Sequence, residues 1–487
     1  MTRQVRNLVI AVCVVVALGA GVLLLNVLPG GKKSSTSSSG SSSSSSIGLL
    51  SIKSGAFHSL HVTNAAGGYT ITLSGGTYTV DALKDAPSNQ SAIQSKVNDV
   101  LGLKATALIQ KDVTDLTQYG LAAPTATLDV TTADGKTSTV KIGNQAPSGS
   151  GVYVLKPGTN DVYLSATMMN DNFSQSAMQY ASTTVSALSP SANISAYKFG
   201  GTARPTPFTV AVKTQSSAAS SGSSAAASYT YALAQPYAYD GNDTNLGKIT
   251  TALQSLSATS VVSVDVSPQS LAQYGLQNPA YTLTYTVDGK DTTLSFGNAD
   301  SSSNTVYMTI SGKQAVYQVD TSTAAAFYND QLADVLSTAL VTTDVSTVKN
   351  LPVQSGSQTY TINLSGSSDK LAVTDANGKK VDATGFRNYY QTILAVTTRG
   401  GANSPAGVSP SLTLTFTYND GTAQRIVSFL PDGSDKSFVE INGNGGLYVY
   451  NSDISNLLTL AQNLEAGKTV SAPSYPQTAP RKRWFDG

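Results

Sequence analysis

Leu116-Thr-Gln-Tyr-Gly-Leu-Ala-Ala-Pro124 returns as Leu271-Ala-Gln-Tyr-Gly-Leu-Gln-Asn-Pro279, 155 residues further along the chain. The residues after each box match in the same order. Ala126, Leu128 and Val130 alternate with polar residues, as do Tyr281, Leu283 and Tyr285. Asp134-Gly135 matches Asp288-Gly289, and Ile142-Gly143-Asn144 matches Phe296-Gly297-Asn298. Val152-Tyr153 and Val162-Tyr163 then match Val306-Tyr307 and Val316-Tyr317. Self-similarity at a fixed period marks a repeated structural unit. A third, decayed copy has Gly407-Val-Ser-Pro410, then Leu412, Leu414, Phe416 and Tyr418 alternating with threonines. Asp420-Gly421 supplies its turn, and Phe438-Val439 and Leu447-Tyr448 close the series. It lacks the box tyrosine and the Gly-Asn pair.

Period-2 alternation predicts half-buried strands with threonine on the wet face. Asp-Gly between two such runs predicts a type I′ hairpin, with positive φ at both central residues. One helix per unit is expected, with apolar stripes Ile93, Val97, Val100, Leu101; then Leu246, Ile249, Leu253, Leu256; then Phe386, Tyr390, Ile393. Such a stripe covers one face of an antiparallel sheet, which is α+β layering. In the Tyr-Gly-Leu-x-x-Pro box the glycine is expected in the left-handed position ending a short helical turn.

Ahead of the units, Leu8 to Leu28 is an uncharged apolar run of 21 residues with Asn26 its one polar side chain. At about 1.5 Å per residue it matches a bilayer core and is expected to be an uncleaved membrane span. Arg3 and Arg6 face Lys32 and Lys33 across it, so the flanking charges nearly balance. Ser34 to Ser46 reads as a flexible tether, and Cys13, within the run, as an inert thiol. The expected fold is therefore an N-terminal transmembrane helix followed by three repeated units of antiparallel strands, each with a covering helix. The segments are 1–28, cytoplasmic stub and span; 29–46, Ser-rich linker; 47–190, first unit; 191–340, second unit, with a low-complexity loop at 216–228; 341–466, divergent third unit; and 467–487, tail.

With the span and tether, the Tyr-Gly-Leu-x-x-Pro box and the strand, Asp-Gly, strand, Gly-Asn, Val-Tyr succession, the chain resembles the bacterial family of domain of unknown function 4340. The likeness covers residues 47–340 well and 341–466 loosely. It implies an envelope accessory role beside ABC-type transport systems, and it supplies no catalytic residues.

Composition narrows the chemistry. The 487 residues carry a net charge of +1, and charged residues make up 12%. That balance argues against a nucleic-acid partner, which calls for a basic stripe. His58-x-x-His61 lies on an expected strand, where the two rings point to opposite faces. Gly241 to Lys248 has the wrong spacing for a phosphate loop and ends in Ile249 where Ser or Thr is required, so it reads as a helix start. Ser367-Ser-Asp-Lys370 and Asp375-x-Asn377-Gly378…Asp382 read as turns, not as an acylating or a calcium site. Tyrosine is abundant, 24 against 11 phenylalanines, and its recurrence at 153, 163, 307, 317 and 448 suits a sheet face. The tail Arg481-Lys-Arg-Trp484 reads as a solvated basic end. No catalytic, cofactor-binding or metal-ligating residue is assigned and no cofactor is expected. The expected protein is a non-catalytic binding or accessory protein of the bacterial cell envelope. It would be attached to the cell membrane with its bulk outside the cytoplasm, with an ABC transporter or other envelope proteins as partners. An adhesin-like, glycan-binding surface protein is the alternative.

Overall fold

The computed structural model describes residues 46–147, 149–204, 206–215, 228–328, 331–366 and 370–473. Three large antiparallel sheets of nine, nine and eight strands dominate, joined by small bridging ladders. Each is built on two meanders meeting at a central pair, and in the first two sheets a strand that follows the helix, Lys104–Gln110 or Ser260–Ser263, crosses over to pair beyond the second meander. In the first sheet, Phe57–Asn64 pairs with Ala126–Thr132 (Leu60 opposite Val130). In the second, Ile194–Gly200 pairs with Tyr281–Val287 (Tyr197 opposite Tyr285). In the third, Val348–Ser355 pairs with Leu412–Tyr418 (Val353 opposite Leu414). Outward on one side run the early strands of each unit. On the other side run Thr137–Gln145, Val152–Leu155 and Val162–Ser165, with Lys290–Asp300, Thr305–Ile310 and Val316–Asp320, and Arg425–Asp432, Lys436–Ile441 and Asn444–Tyr450, as their counterparts. The alternation reads out directly: Leu128, Val130, Val140 and Ile142 are fully buried, while Thr127, Asp129 and Thr131 between them are not.

A helix follows the early strands in every unit: Gln90–Leu101, Asp243–Leu253 and Ala383–Ala395. Each starts on a side-chain cap. Asn89 accepts from the Ala92 N–H, Asn242 from the Asn245 N–H, and Asp382 from the Thr384 and Gly385 N–H groups. Such caps satisfy backbone donors that no helical carbonyl can reach. The apolar stripes are buried as spaced, except that Leu256 lies beyond its helix on the short strand Leu256–Ser257.

That short strand shows how the units join. The chain leaving the first unit, Thr184–Ser186, pairs with it. Leu188 donates to the Leu253 carbonyl and Ala258 to that of Thr183. One unit later, Thr398 donates to the Thr338 carbonyl. At the front of the first unit, Ile52 donates to the Leu101 carbonyl, at the end of that unit's helix. The helix ends of the first two units thus receive the incoming chain by the same kind of backbone bond.

The expected fold class is corrected in one respect. The run 8–28, the linker up to residue 45 and Cys13 lie outside the described residues, so the expected amino-terminal transmembrane helix forms no part of the described molecule. Among the described residues no helix is long and apolar enough to cross a membrane. Asn451–Glu465, with 15 residues, spans about 22 Å and is amphipathic: Ile454, Leu457, Ala461 and Leu464 are buried and polar side chains fill the other face. The described chain is predominantly antiparallel sheet.

The hairpins also differ from expectation. Asp288-Gly289 has positive φ at both residues (49° and 76°), as a two-residue type I′ turn between Val287 and Lys290 requires. At Asp134-Gly135 and Asp420-Gly421 only the glycine is left-handed. The first of these loops is longer, the ladder closing at Thr131 and Thr137, and Asp134 serves by accepting from Thr132 Oγ1 at 2.5 Å.

Candidate functional site

The conspicuous motifs turn out to hold the fold together. Thr117–Tyr119 and Pro268–Gln273 are the short helical turns of the box, followed by Gly120 (φ 69°) and Gly275 (φ 71°). Each turn sits directly on its Gly-Asn pair. A Cβ on Gly143 would overlap the Tyr119 carbonyl oxygen and come within 2.9 Å of Leu121 Cγ. A Cβ on Gly297 would overlap the Tyr274 carbonyl in the same way. Asn298 donates its N–H to that carbonyl at 2.8 Å. A ladder irregularity falls at the same place in both sheets, between Ile142 and Gln145 and between Phe296 and Ala299. Above the joint, Tyr119 packs on Tyr153 with ring centroids 5.0 Å apart, and Tyr274 on Tyr307 at 4.8 Å.

The remaining sequence candidates disperse. His58 and His61 are both exposed, because an irregularity between Phe57 and Ser59 breaks the alternation and puts Phe57 and Leu60 on the buried side. His61 hydrogen bonds Thr70 Oγ1 at 3.1 Å through Nδ1. Among the described residues no group of three or more His, Cys, Asp or Glu is placed to hold a metal ion. Gly241 to Lys248 opens the helix Asp243–Leu253, and Lys248 Nζ is turned to Asn245 Oδ1 at 3.0 Å. Residues 367–369 lie outside the described residues, and the strands around them pair at Ser365 and Ala372. Asp375 accepts from the Asn377 and Lys379 N–H groups inside a hairpin turn, and Asp382 is a helix cap. Tyr163 and Tyr317 are buried, while Tyr153 and Tyr307 are half-buried. Tyr448 is out of register with this series. It lies opposite Phe438, so Leu447 occupies the buried position of Tyr163 and Tyr317. Arg481 to Trp484 lies outside the described residues.

One cleft has the makings of a site. It holds about 340 Å³ and is lined by Pro190, Tyr229, Tyr231, Asp243, Gly247, Thr250, Thr251 and Gln254. Strand Ser228–Gln235 brings Tyr229 and Tyr231 to one wall and the helix Asp243–Leu253 forms the other. Tyr229 donates its hydroxyl to the Ala192 carbonyl at 2.9 Å, pinning the loop that carries Pro190. At the floor, Thr250 Oγ1 meets Tyr231 Oη at 2.6 Å and Tyr197 Oη at 2.7 Å. Asp243 Oδ1 accepts the Tyr231 N–H at 3.2 Å. Burial raises the Tyr197 and Tyr231 pKa values, a hydrogen bond to Thr250 opposing it in part, so both phenols stay neutral. Neutral hydroxyls can both donate and accept hydrogen bonds. Sequence reasoning missed this cleft. Its one legible signal was Gly247, a glycine in the middle of an amphipathic helix.

A family model described as Domain of unknown function (DUF4340) matches residues 79–218 and 232–411, together more than half of the chain. The chain belongs to the DUF4340 family. The two matches begin at equivalent places in successive units of this DUF4340 protein, 153 residues apart, so the family's module is present twice in tandem. No curated protein and no solved structure matches the chain significantly.

Proposed function

We propose that this DUF4340 protein is a non-catalytic binding or accessory protein of the bacterial cell envelope, working at the membrane with its bulk outside the cytoplasm and partnering an ABC-type transport system. The observation that carries the reading is a repeated scaffold with divergent surfaces. The caps recur in all three units, whereas the fifth residue after the cap is Gln94, Gly247 or Arg387. Keeping the frame while changing the side chain it carries is how tandem modules acquire partners. A membrane setting is supported by the apolar run 8–28 and the serine tract after it, as sequence. The near-neutral charge speaks against nucleic acid. Crosslinking of the full chain in its native membranes, then detergent extraction and pull-down, is expected to recover subunits of an ABC transporter. Recovery of cytoplasmic proteins instead, with no envelope component, refutes the reading.

A further inference from the structure

We propose that the cleft of the second unit binds a neutral saccharide. The inference goes beyond the accessory role and does not depend on any transporter.

Three observations converge on it. First, Gly247 has no packing reason to be glycine. Its φ is not left-handed, and a Cβ there would meet nothing within 4 Å. A glycine in a helix interior is disfavoured against almost any other residue, so a bare backbone here comes at the helix's expense. The equivalent positions carry Gln94 and Arg387, side chains long enough to fill such a space. Only in the second unit is the helix flank cut back, and the cleft lies over that cut.

Second, the floor holds a donor in reserve. Tyr197, Tyr231 and Thr250 have three hydroxyl protons, and their two contacts take up two of them. One O–H is left over, and in two of the three possible arrangements it sits on Thr250 or Tyr231. Thr250 and Tyr231 line the cleft, whereas Tyr197 lies behind them. The equivalents of Thr250 are Val97 and Tyr390, so the shared hydroxyl junction belongs to the second unit.

Third, the lining selects a class of ligand. Half-buried Tyr229, which lines the cleft, offers an apolar ring to the C–H face of a sugar. Asp243 and Gln254 add an acceptor and an amide, and Thr251 a further hydroxyl. No Lys or Arg is among the lining residues. An anionic ligand would therefore meet the Asp243 carboxylate with no compensating cation. The volume lies at the lower end for small-molecule clefts, which suits one or two sugar residues.

Titration of the full chain in detergent with glucose, galactose, mannose, N-acetylglucosamine and glucuronate, read by calorimetry and saturation-transfer NMR, tests this. At least one neutral sugar is expected to bind, with glucuronate weaker than glucose. Gly247→Gln, which restores the first unit's side chain, is expected to weaken binding about tenfold or more while leaving Tm unchanged or higher. Loss of binding in that variant is then not loss of fold. Asp243→Asn keeps the acceptor for Tyr231 and is expected to let glucuronate bind as well as glucose. The proposal is overturned if none of the neutral sugars binds, if glucuronate is preferred by the unaltered chain, or if Gly247→Gln binds as before.

Discussion

The first two units and the third solve the same turn of the sheet differently. Where the first two have Ile142-Gly143-Asn144 and Phe296-Gly297-Asn298, the third has Phe429-Leu430-Pro431, fixed as the equivalent by the pairing of Phe429 with Leu412 and Val439. There the ladder runs without interruption from Phe429 to Asp432, and Leu430 is buried. The opposite loop has lost its box: Gly407 is left-handed (φ 70°) but a Cβ on it would touch nothing. Both halves of the joint have vanished together. A glycine forced by contact is useful only while its partner is present, so the two motifs are one feature in two pieces of sequence. What stays is the proline and the bond after it: Thr125 donates to the Ile142 carbonyl and Ser411 to that of Phe429, each at 2.8 Å.

The largest expected effect comes from forcing a side chain into the joint. Gly143→Ala and Gly297→Ala should each cost about 2–3 kcal/mol, because the added carbon meets a backbone carbonyl that cannot swing away. Leu430→Ala should cost a similar amount by the opposite route, an emptied contact in the third sheet. Gly275→Ala combined with Gly297→Ala should cost less than the two apart, since either change already opens the same joint. Urea denaturation of these variants and of Gly275→Ala alone measures this, and a neutral Gly143→Ala would show that box and pair are merely neighbours.

Both pieces of the joint were legible, but their contact was not. Gly120 and Gly143 are far apart in sequence, and alternation says which residues face inward, not which loops touch. The same limit misplaced the third copy's aromatics. The sheet irregularity there falls between Val439 and Glu440 instead of after the Phe429 position, and Leu447, not Tyr448, stands opposite Val439, one residue from where the apolar-Tyr pattern puts it. His58 and His61 are at the surface, but their opposite facing was misread for a related reason, an irregularity that period 2 does not foresee. The helices were clear because an apolar stripe at helical spacing is a local signal. The cleft was hidden because its evidence is the absence of a side chain at Gly247, which carries meaning only after Gln94 and Arg387 are known to be its equivalents. The apolar run 8–28, so plain as composition, has no counterpart among the described helices.

A smaller effect separates the helix starts. Asn242→Ala and Asn89→Ala each remove one accepted N–H bond and should cost about 1 kcal/mol. Asp382→Ala removes two, to Thr384 and Gly385, and takes a negative charge from the helix N-terminus, so it should cost about 1–2 kcal/mol. Amide hydrogen exchange in the first turn of each helix reads the three separately. Equal losses at all three sites would mean that the second bond at Asp382 adds nothing.

The smallest effect compares the Asp-Gly loops. In the first unit, hydrogen bonds from Thr132 and from Lys136, with the Lys136 charge beside them, lower the Asp134 pKa from 3.8 to about 2. In the third unit, Thr422 lowers that of Asp420 by its side chain and its backbone N–H. Both carboxyls are exposed, so the consequence is local order in the loop. The sign comes from the direction of the shift: a carboxylate held below its unfolded value favours the folded loop above about pH 4. That preference fades as pH falls toward 2 and the carboxyl protonates. In a carbon-detected NMR titration Asp134 should therefore be among the last carboxyls to protonate. Thr132→Val should raise its midpoint, and Lys136→Gln should raise it less, because the Thr132 bond is the larger cause. A Thr132→Val midpoint that did not move would transfer the effect to the lysine, and with it the reason this loop uses Asp134 as an acceptor while Asp288 adopts positive φ instead.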